Sequence, residues 1–250
     1  MRTWLTERFG LTVPVVAAPM AGVSTGRLAE AVSAAGGLGM IGAGPTSKPD
    51  WLREQCAVAR EAGQFGVGLM AWALAQDDAL VDVVVAEEPA LVSVSYGPYE
   101  RWIPPLRAAG IVVATQVGTL EEAWVGTAFL ACTEAATSAG AREQLLAAKD
   151  TDTAYGRVFD VGQRMAWPSE YGGRALRNAY FDRWVGHEDE LAGDDAASAQ
   201  LVAARQHGDF DVACVYAGEG VGLLRDERAA ADVVAEFAGA GALLDRAAGQ

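Results

Sequence analysis

The stretch PVVAAPMAGVSTGRLAEAVSAAGGLGMIGAG, residues 14–44, reads as strand, helix and strand, and the first half of the chain repeats that unit. PVVAAPM (14–20) and GLGMIGAG (37–44) are short, unbroken apolar runs, the pattern of strands buried on both faces. Between them Leu28, Ala31, Val32 and Ala35 recur at i, i+3, i+4 and i+7 behind Ser24 or Thr25 as cap, and Gly36 and Gly37 stop the helix. Three further runs, FGVGLMAW (65–72), LVSVSYG (91–97) and IVVATQVG (111–118), start 28, 26 and 20 residues apart, the length of a βα unit. Helical stretches that begin at Asp50, near Asp77 and around Trp102 fill the intervals. This alternation predicts an α/β fold with a parallel sheet, either a (β/α) barrel or a doubly wound sheet.

The rhythm breaks after the fifth run. Thr119-Leu-Glu-Glu122 is a capping box that should open a helix, because hydroxyl and carboxylate can satisfy each other's orphan backbone donors. Yet only Thr119–Ala123 separate the fifth run from AWVGTAFLA (123–131), itself strand-like, and a parallel crossover needs at least about 10–12 residues. Either two strands follow each other with the helix body missing, or Leu120–Ala131 is one helix that tolerates Gly126.

The second half has another texture. An Ala-rich helix (141–149), a β-like TAYGRVF and an amphipathic RALRNAYFDRWV, with Leu176, Tyr180 and Trp184 on one face, precede an acidic, solvated linker, HEDELAGDDA. Helices near 196–205 and 229–246 complete it. The division expected is an incomplete barrel over 1–132 and a mainly helical C-terminal segment, 133–250, packed on it.

Composition narrows the partners. With 19 Lys and Arg against 33 Asp and Glu, the net charge of −14 repels nucleic acid and anionic lipid. No apolar h-region follows the N-terminus, and the charge-free stretch Phe9–Arg27 is broken by Pro14 and Pro19, so a soluble, cytoplasmic, non-membrane protein is expected. Cys56, Cys132 and Cys214 are too far apart in sequence for a CxxC pair, and no metal-ligand spacing occurs.

Gly37-x-Gly39-x-x-Gly42 matches GxGxxG, but a helix precedes it and Pro45 follows, the wrong context for a dinucleotide fingerprint. These glycines read instead as letting a strand end approach a flat ligand. AGEGVG (217–222) reads as a surface turn, and His187 and His207, the two histidines, as surface residues. In a barrel, Met20, Gly44, Met70, Ser95 and Gln116 would converge at the C-terminal ends of the strands, where barrel sites lie.

Taken together, residues 17–44, FGVGLMAW, LVSVSYG, VVATQVGTLEEA, WVGTAFLACTEA, LLAAKDTDTAYGRVFD, GGRALRNAYFDRW and YAGEGVGLL closely resemble the nitronate monooxygenase family. The resemblance implies a TIM-barrel-like fold, FMN as cofactor, and oxidation of a nitronate or nitroalkane with O2. Ala18, Pro19 and Met20 resemble the family's flavin-facing turn, and Gly68 stands where many members carry an FMN-contacting Asn. Gln116 joins this cofactor-binding set, and Trp124, Val125, Gly126 and Thr127 resemble the segment that helps hold the FMN phosphate. The family's catalytic-His segment and its phosphate loop have no counterpart here. At roughly 30 residues per βα unit, that implies an internal deletion of about 60–80 residues after Ala123, and about six of eight strands. The function expected of such a chain is therefore that of an FMN-dependent nitronate monooxygenase, with an NAD(P)H-dependent enoyl or quinone reductase on the same scaffold, or a non-catalytic remnant, as the alternatives. Its open sheet edge favours homo-oligomers.

Overall fold

A computed structural model describes residues 2–115 and 123–239 of the chain. It divides into two compact units, Met1–Ala136 with Arg228–Gln250, and Thr137–Glu227.

The first unit is built on short parallel strands: β1 (Val15–Ala17), β2 (Gly39–Gly42), β3 (Phe65–Met70), β4 (Leu91–Ser95), β5 (Val112–Ala114) and β6 (Ala123–Val125). β2, β3, β4 and β5 lie side by side in chain order, with Val67 opposite Val92 and Val92 opposite Val113. β1 pairs with β6 and touches β2 through the Val16–Leu38 bridge. Among the described residues no ladder joins β5 to β6, so the parallel sheet is partial, as in an incomplete barrel.

Helices cover the sheet because the strands are apolar on both faces. Every residue of β2 and β4 is buried. The helices Pro49–Ala59, Ala79–Glu87 and Ile103–Ala108 set Leu52, Cys56, Val83, Val84 and Leu106 against Ile41, Val67 and Val94. On the other side, the short helix Trp4–Phe9 starts in a reciprocal Thr3–Thr6 cap and presses Leu5 and Phe9 onto Val16, Met40 and Leu91. The last described helix, Ala230–Ala238, packs Val233 and Val234 on Leu28, Val32 and Phe129. It thus belongs to the first unit, whereas the sequence division at 132 grouped it with the C-terminal segment.

Several elements differ from the sequence reading. The third apolar run leaves the sheet at Met70, and Ala71–Leu74 is a helical turn. The 123–131 segment is neither one strand nor one helix: β6 ends at Val125 and Thr127–Leu130 turns into a helix. The capping box at 119–122 lies outside the described residues.

The second unit contains an antiparallel pair, β7 (Thr153–Gly156) and β8 (Gly173–Leu176), extended by an Ala175–Tyr216 bridge. Residues 174–176 belong to the stretch RALRNAYFDRWV, whose spacing predicts a helix. Pairing with β7 overrides the i, i+4 spacing, and the helix Ala179–Trp184 begins only after Asn178, whose side chain caps it by accepting from the Phe181 N–H. The expected linker HEDELAGDDA contains the helix Glu188–Gly193, which buries Leu191 completely beside Val158, Phe159 and Trp184. Helix Asp195–His207 is capped by Asp194 and closed by Gly208 at φ 72°. Among the described residues no helix is long and apolar enough to cross a membrane.

Candidate functional site

The turn after β1 meets the C-terminal ends of β2 and β6 and Gly68 within β3. After β1 the chain runs through Ala18, Pro19 and Met20, all half-buried. The Ala18 N–H donates to the Val125 carbonyl at 2.8 Å, which ties the turn to β6. Ser24, 1% exposed, fastens it from inside: its hydroxyl donates to the Ala18 carbonyl at 2.9 Å and accepts from the Met20 N–H at 3.1 Å. The Ser24 hydroxyl thus serves this turn, while Thr25 occupies the N-cap position of the next helix without a side-chain capping bond.

Three glycines admit the turn. A Cβ on Gly68 would lie 2.3–2.4 Å from the Pro19 ring, and one on Gly42 would lie 2.5 Å from the Met20 carbonyl carbon. A Cβ on Gly126 would lie 3.3 Å from the Ala18 Cβ and 3.5 Å from the Met20 sulfur. Gly39 lies still closer to its neighbour, 1.8 Å from Cβ position to the Ala29 carbonyl oxygen. Gly39 and Gly42 therefore serve helix-to-strand and turn-to-strand packing, a correction to their reading as a ligand approach.

The structure thus brings together Ala18, Pro19, Met20, Gly68, Val125 and Gly126 of the cofactor set, with Thr127 next in chain. Trp124 lies in β6 opposite Val16, and Gln116 lies outside the described residues. Gly44 and Met70 line a separate cavity of about 90 Å3 at the ends of β2 and β3, room for a few waters. Ser95 is buried at the end of β4, and Tyr96 follows it at φ 65°, a left-handed conformation rare outside glycine.

The side chains of the turn, Ala18, Pro19 and Met20, are apolar and half-buried. A phosphate needs fixed donors, and here the N–H groups of Ala18, Met20, Gly42, Ala43 and Gly44 are all spent within the protein. These five backbone groups therefore do not hold a phosphate.

A second cluster, in the second unit, had no signal in the sequence. Asp160, 4% exposed, accepts from the Tyr216 hydroxyl at 2.8 Å and from the Gly173 N–H, and Gln163 donates to the same hydroxyl at 3.3 Å. Burial raises the Asp160 pKa, while Tyr216, Arg157 and the Gly173 N–H pull it back. Tyr216 is 41% exposed as a residue, yet its hydroxyl faces this cluster, and desolvation beside Cys214 and Asp160 pushes its pKa up. Burial likewise raises the thiols, Cys56 to about 12 and Cys214 further, so neither is a poised nucleophile.

Both histidines lie on exposed positions of the second unit. His187 Nδ1 is 3.0 Å from a Glu190 carboxylate oxygen, and His207 Nδ1 is 2.7 Å from the Ala203 carbonyl.

Residues 2–78 match the nitronate monooxygenase family profile. The chain is 33% identical over 125 residues to the (3aS,4S,5R,7aS)-5-hydroxy-7a-methyl-1-oxo-octahydro-1H-indene-4-carboxyl-CoA dehydrogenase of Mycobacterium tuberculosis, covering 49% of this chain and 35% of that protein. It is 32% identical over 133 residues to a nitronate monooxygenase of Neurospora crassa, 51% of this chain and 33% of that one. The chain thus spans about a third of the length of the curated relatives it matches. In three dimensions it is similar to FabK from Thermotoga maritima, with a TM-score of 0.80, 21% identity and 99% of each chain covered. A nitroalkane oxidase from Streptomyces ansochromogenes gives 0.77 at 20% identity over 98% of this chain and 99% of that one. The enoyl reductase domain of MlnA from Bacillus amyloliquefaciens gives 0.66 at 11%, over 96% and 97%. The chain has the fold of these proteins, and its first third carries the nitronate monooxygenase pattern.

Proposed function

We propose that the chain is an FMN-dependent oxidoreductase of the superfamily that unites nitronate monooxygenases with FabK-type proteins, acting as an NAD(P)H-dependent reductase of an activated alkene. The observation that carries this reading is the fold likeness to FabK over 99% of each chain, and the position of the histidines argues separately against oxidation of a neutral nitroalkane. Oxidising a neutral nitroalkane begins with removal of an α-proton, for which a positioned base is worth about 10²–10⁴-fold. The chain's two histidines are instead engaged with Glu190 and Ala203 on exposed helical surface. Reducing an alkene takes a hydride and a proton and removes none from the substrate. The fold likeness to FabK and to an enoyl reductase domain supports the same direction.

When bound, FMN supplies the two-electron hydride chemistry. The work of this chain's residues is to bind and to orient. Ala18, Pro19 and Met20 would carry the ring on a turn that Ser24 and Val125 hold rigid. Gly126 and Thr127 lie beside that turn, with Trp124 and Gln116 assigned to the same set by the family resemblance. Because the N–H groups of Ala18, Met20, Gly42, Ala43 and Gly44 are spent internally and offer a phosphate no donor, flavin should be held dissociably.

A flavin titration followed by two assays tests the proposal. With FMN added, NAD(P)H should be consumed in step with reduction of an α,β-unsaturated thioester. The nitronate monooxygenase reading, supported by the match over residues 2–78, expects O2 uptake with preformed nitronate and no nicotinamide consumption. That outcome, or no flavin binding at all, would overturn the reductase reading.

A further inference from the structure

In the turn Ala18–Met20 nearly every backbone polar group is engaged. The Met20 N–H donates to the Ala18 carbonyl at 2.9 Å, an i to i+2 bond that closes a γ-turn about Pro19, and the proline ring fixes φ near the value such a turn needs. Ser24 brackets both partners: its hydroxyl donates to the Ala18 carbonyl and accepts from the Met20 N–H. The Met20 carbonyl accepts the N–H groups of Val23 and Ser24, at 3.0 and 2.8 Å, and the Ser24 carbonyl accepts the Gly42 N–H at 2.8 Å, which ties the bracket to β2. Ser24 thus spends its N–H, its carbonyl and both roles of its hydroxyl on this one corner.

One group is left. The Ala18 N–H is taken by Val125 and proline has no N–H, so the Pro19 carbonyl is the one backbone group of the turn without a protein partner among the described residues. Its direction follows from the peptide plane. No cis peptide bond occurs among the described residues, and in a trans peptide the C=O and the following N–H point opposite ways. Because the Met20 N–H points inward to the buried Ser24 hydroxyl, the Pro19 carbonyl points away from it, on a turn that is itself half-buried. The backbone of the turn therefore offers a ligand one acceptor and no donor, flanked by apolar side chains.

We infer that the Pro19 carbonyl accepts a hydrogen bond from a ring N–H of the flavin, and that Ser24 is the positioning residue that turns this carbonyl toward the ligand. The inference rests on the flavin reading above, whichever reaction the flavin serves. An acceptor carbonyl gives nothing to a phosphate and selects a heterocycle with a donor on its edge. The oxidised flavin ring has one such donor, the imide N3–H, and the reduced ring adds N5–H. One neutral hydrogen bond of this kind contributes about fivefold in affinity.

The test is equilibrium binding to the full chain, by flavin fluorescence for the oxidised probes and anaerobic calorimetry for the reduced ones. The probes are FMN and 3-methyl-FMN, each oxidised and reduced. If the donor is N3–H, 3-methylation should weaken binding of the oxidised form about fivefold; if it is N5–H, reduction should strengthen binding of both probes about fivefold. Ser24→Ala should abolish whichever preference the unaltered chain shows, and Ser24→Thr, which keeps the hydroxyl, should retain it. A merely structural role for Ser24 would weaken all four probes alike and leave their ratios unchanged. The comparison of probes on the unaltered chain stands even if Ser24→Ala fails to fold. Saturable binding of all four probes with equal affinity, or a preference that survives Ser24→Ala, would overturn this inference alone. No binding of any probe would overturn the flavin reading and this inference with it.

Discussion

The first unit closes by backbone contact and the second by buried polar bonds. In the first, Gly39, Gly42 and Gly68 remove side chains so that Ala29, Met20 and Pro19 can lie directly on the strands, and the remaining residues of β1 to β4 are apolar except for the buried Ser93 and Ser95 of β4. In the second, Asp160 joins a helix to the Tyr216 segment and the Gly173 backbone, and the Asn178 side chain makes three bonds to three separate residues. Apolar contact is non-directional and tolerates substitution of like for like. A buried carboxylate is tolerated only with its donors in place, so the second unit depends on residues that no local pattern connects.

That contrast can be broken most sharply at Gly39. Gly39→Ala would drive a methyl group into the Ala29 carbonyl, so a loss of about 3 kcal/mol in denaturant unfolding is expected, the upper end for overpacking. Gly193→Ala, where nothing lies within 4 Å of the new methyl, should stay within about 0.5 kcal/mol. A Gly39→Ala loss below about 1 kcal/mol would mean that the helix Gly26–Ala34 can back away from β2.

The polar side of the comparison is sharpened by pH. Burial holds the Asp160 pKa above its ordinary value of 3.8, so the folded protein binds this proton more tightly than the unfolded chain does. The stability that follows is fully present below the unfolded pKa and is lost as pH rises through the folded one. Asp160→Asn should therefore remove a downward slope of stability with rising pH, measured as denaturant midpoints from about pH 4 upward. Tyr216→Phe removes a donor to the carboxylate and should cost about 2 kcal/mol near neutrality. An unchanged slope in Asp160→Asn would show that this group does not set it.

The smallest effect is expected at the histidines. His187→Ala and His207→Ala should each leave any turnover within about twofold, whereas losing a general base costs about 10²–10⁴-fold. A large loss confined to neutral nitroalkane would transfer the base role to the affected histidine and favour the oxidase over the reductase.

The parts legible in the sequence are those with a strong local period. β2, β3 and β4 stand within their apolar runs because a strand buried on both faces needs no alternation. The helix Asp195–His207 lies where its spacing put it. The misread parts had a local signal that a distant partner overrode. Leu176, Tyr180 and Trp184 have helical spacing, yet β7 supplies hydrogen bonds that hold residues 173–176 extended. HEDELAG looks solvated because Leu191 is its one large apolar residue, and that residue is the one wholly buried.

The candidate site divides in the same way. The family pattern marked Ala18–Met20 and the WVGT segment, while the bonds that fasten the turn come from Ser24, which looked like a cap, and from Val125 across the sheet. By itself the sequence determined the alternating α/β character of the first unit, the acidic charge and the absence of a histidine in the barrel half, because these depend on composition and on neighbours a few residues away. Only the tertiary structure decided that the glycines seat a turn and a helix, that the last helix returns to the first unit, and that Asp160, Gly173 and Tyr216 meet. Each of these depends on which atoms fill the space next to a residue, and those atoms come from parts of the chain that only folding brings together.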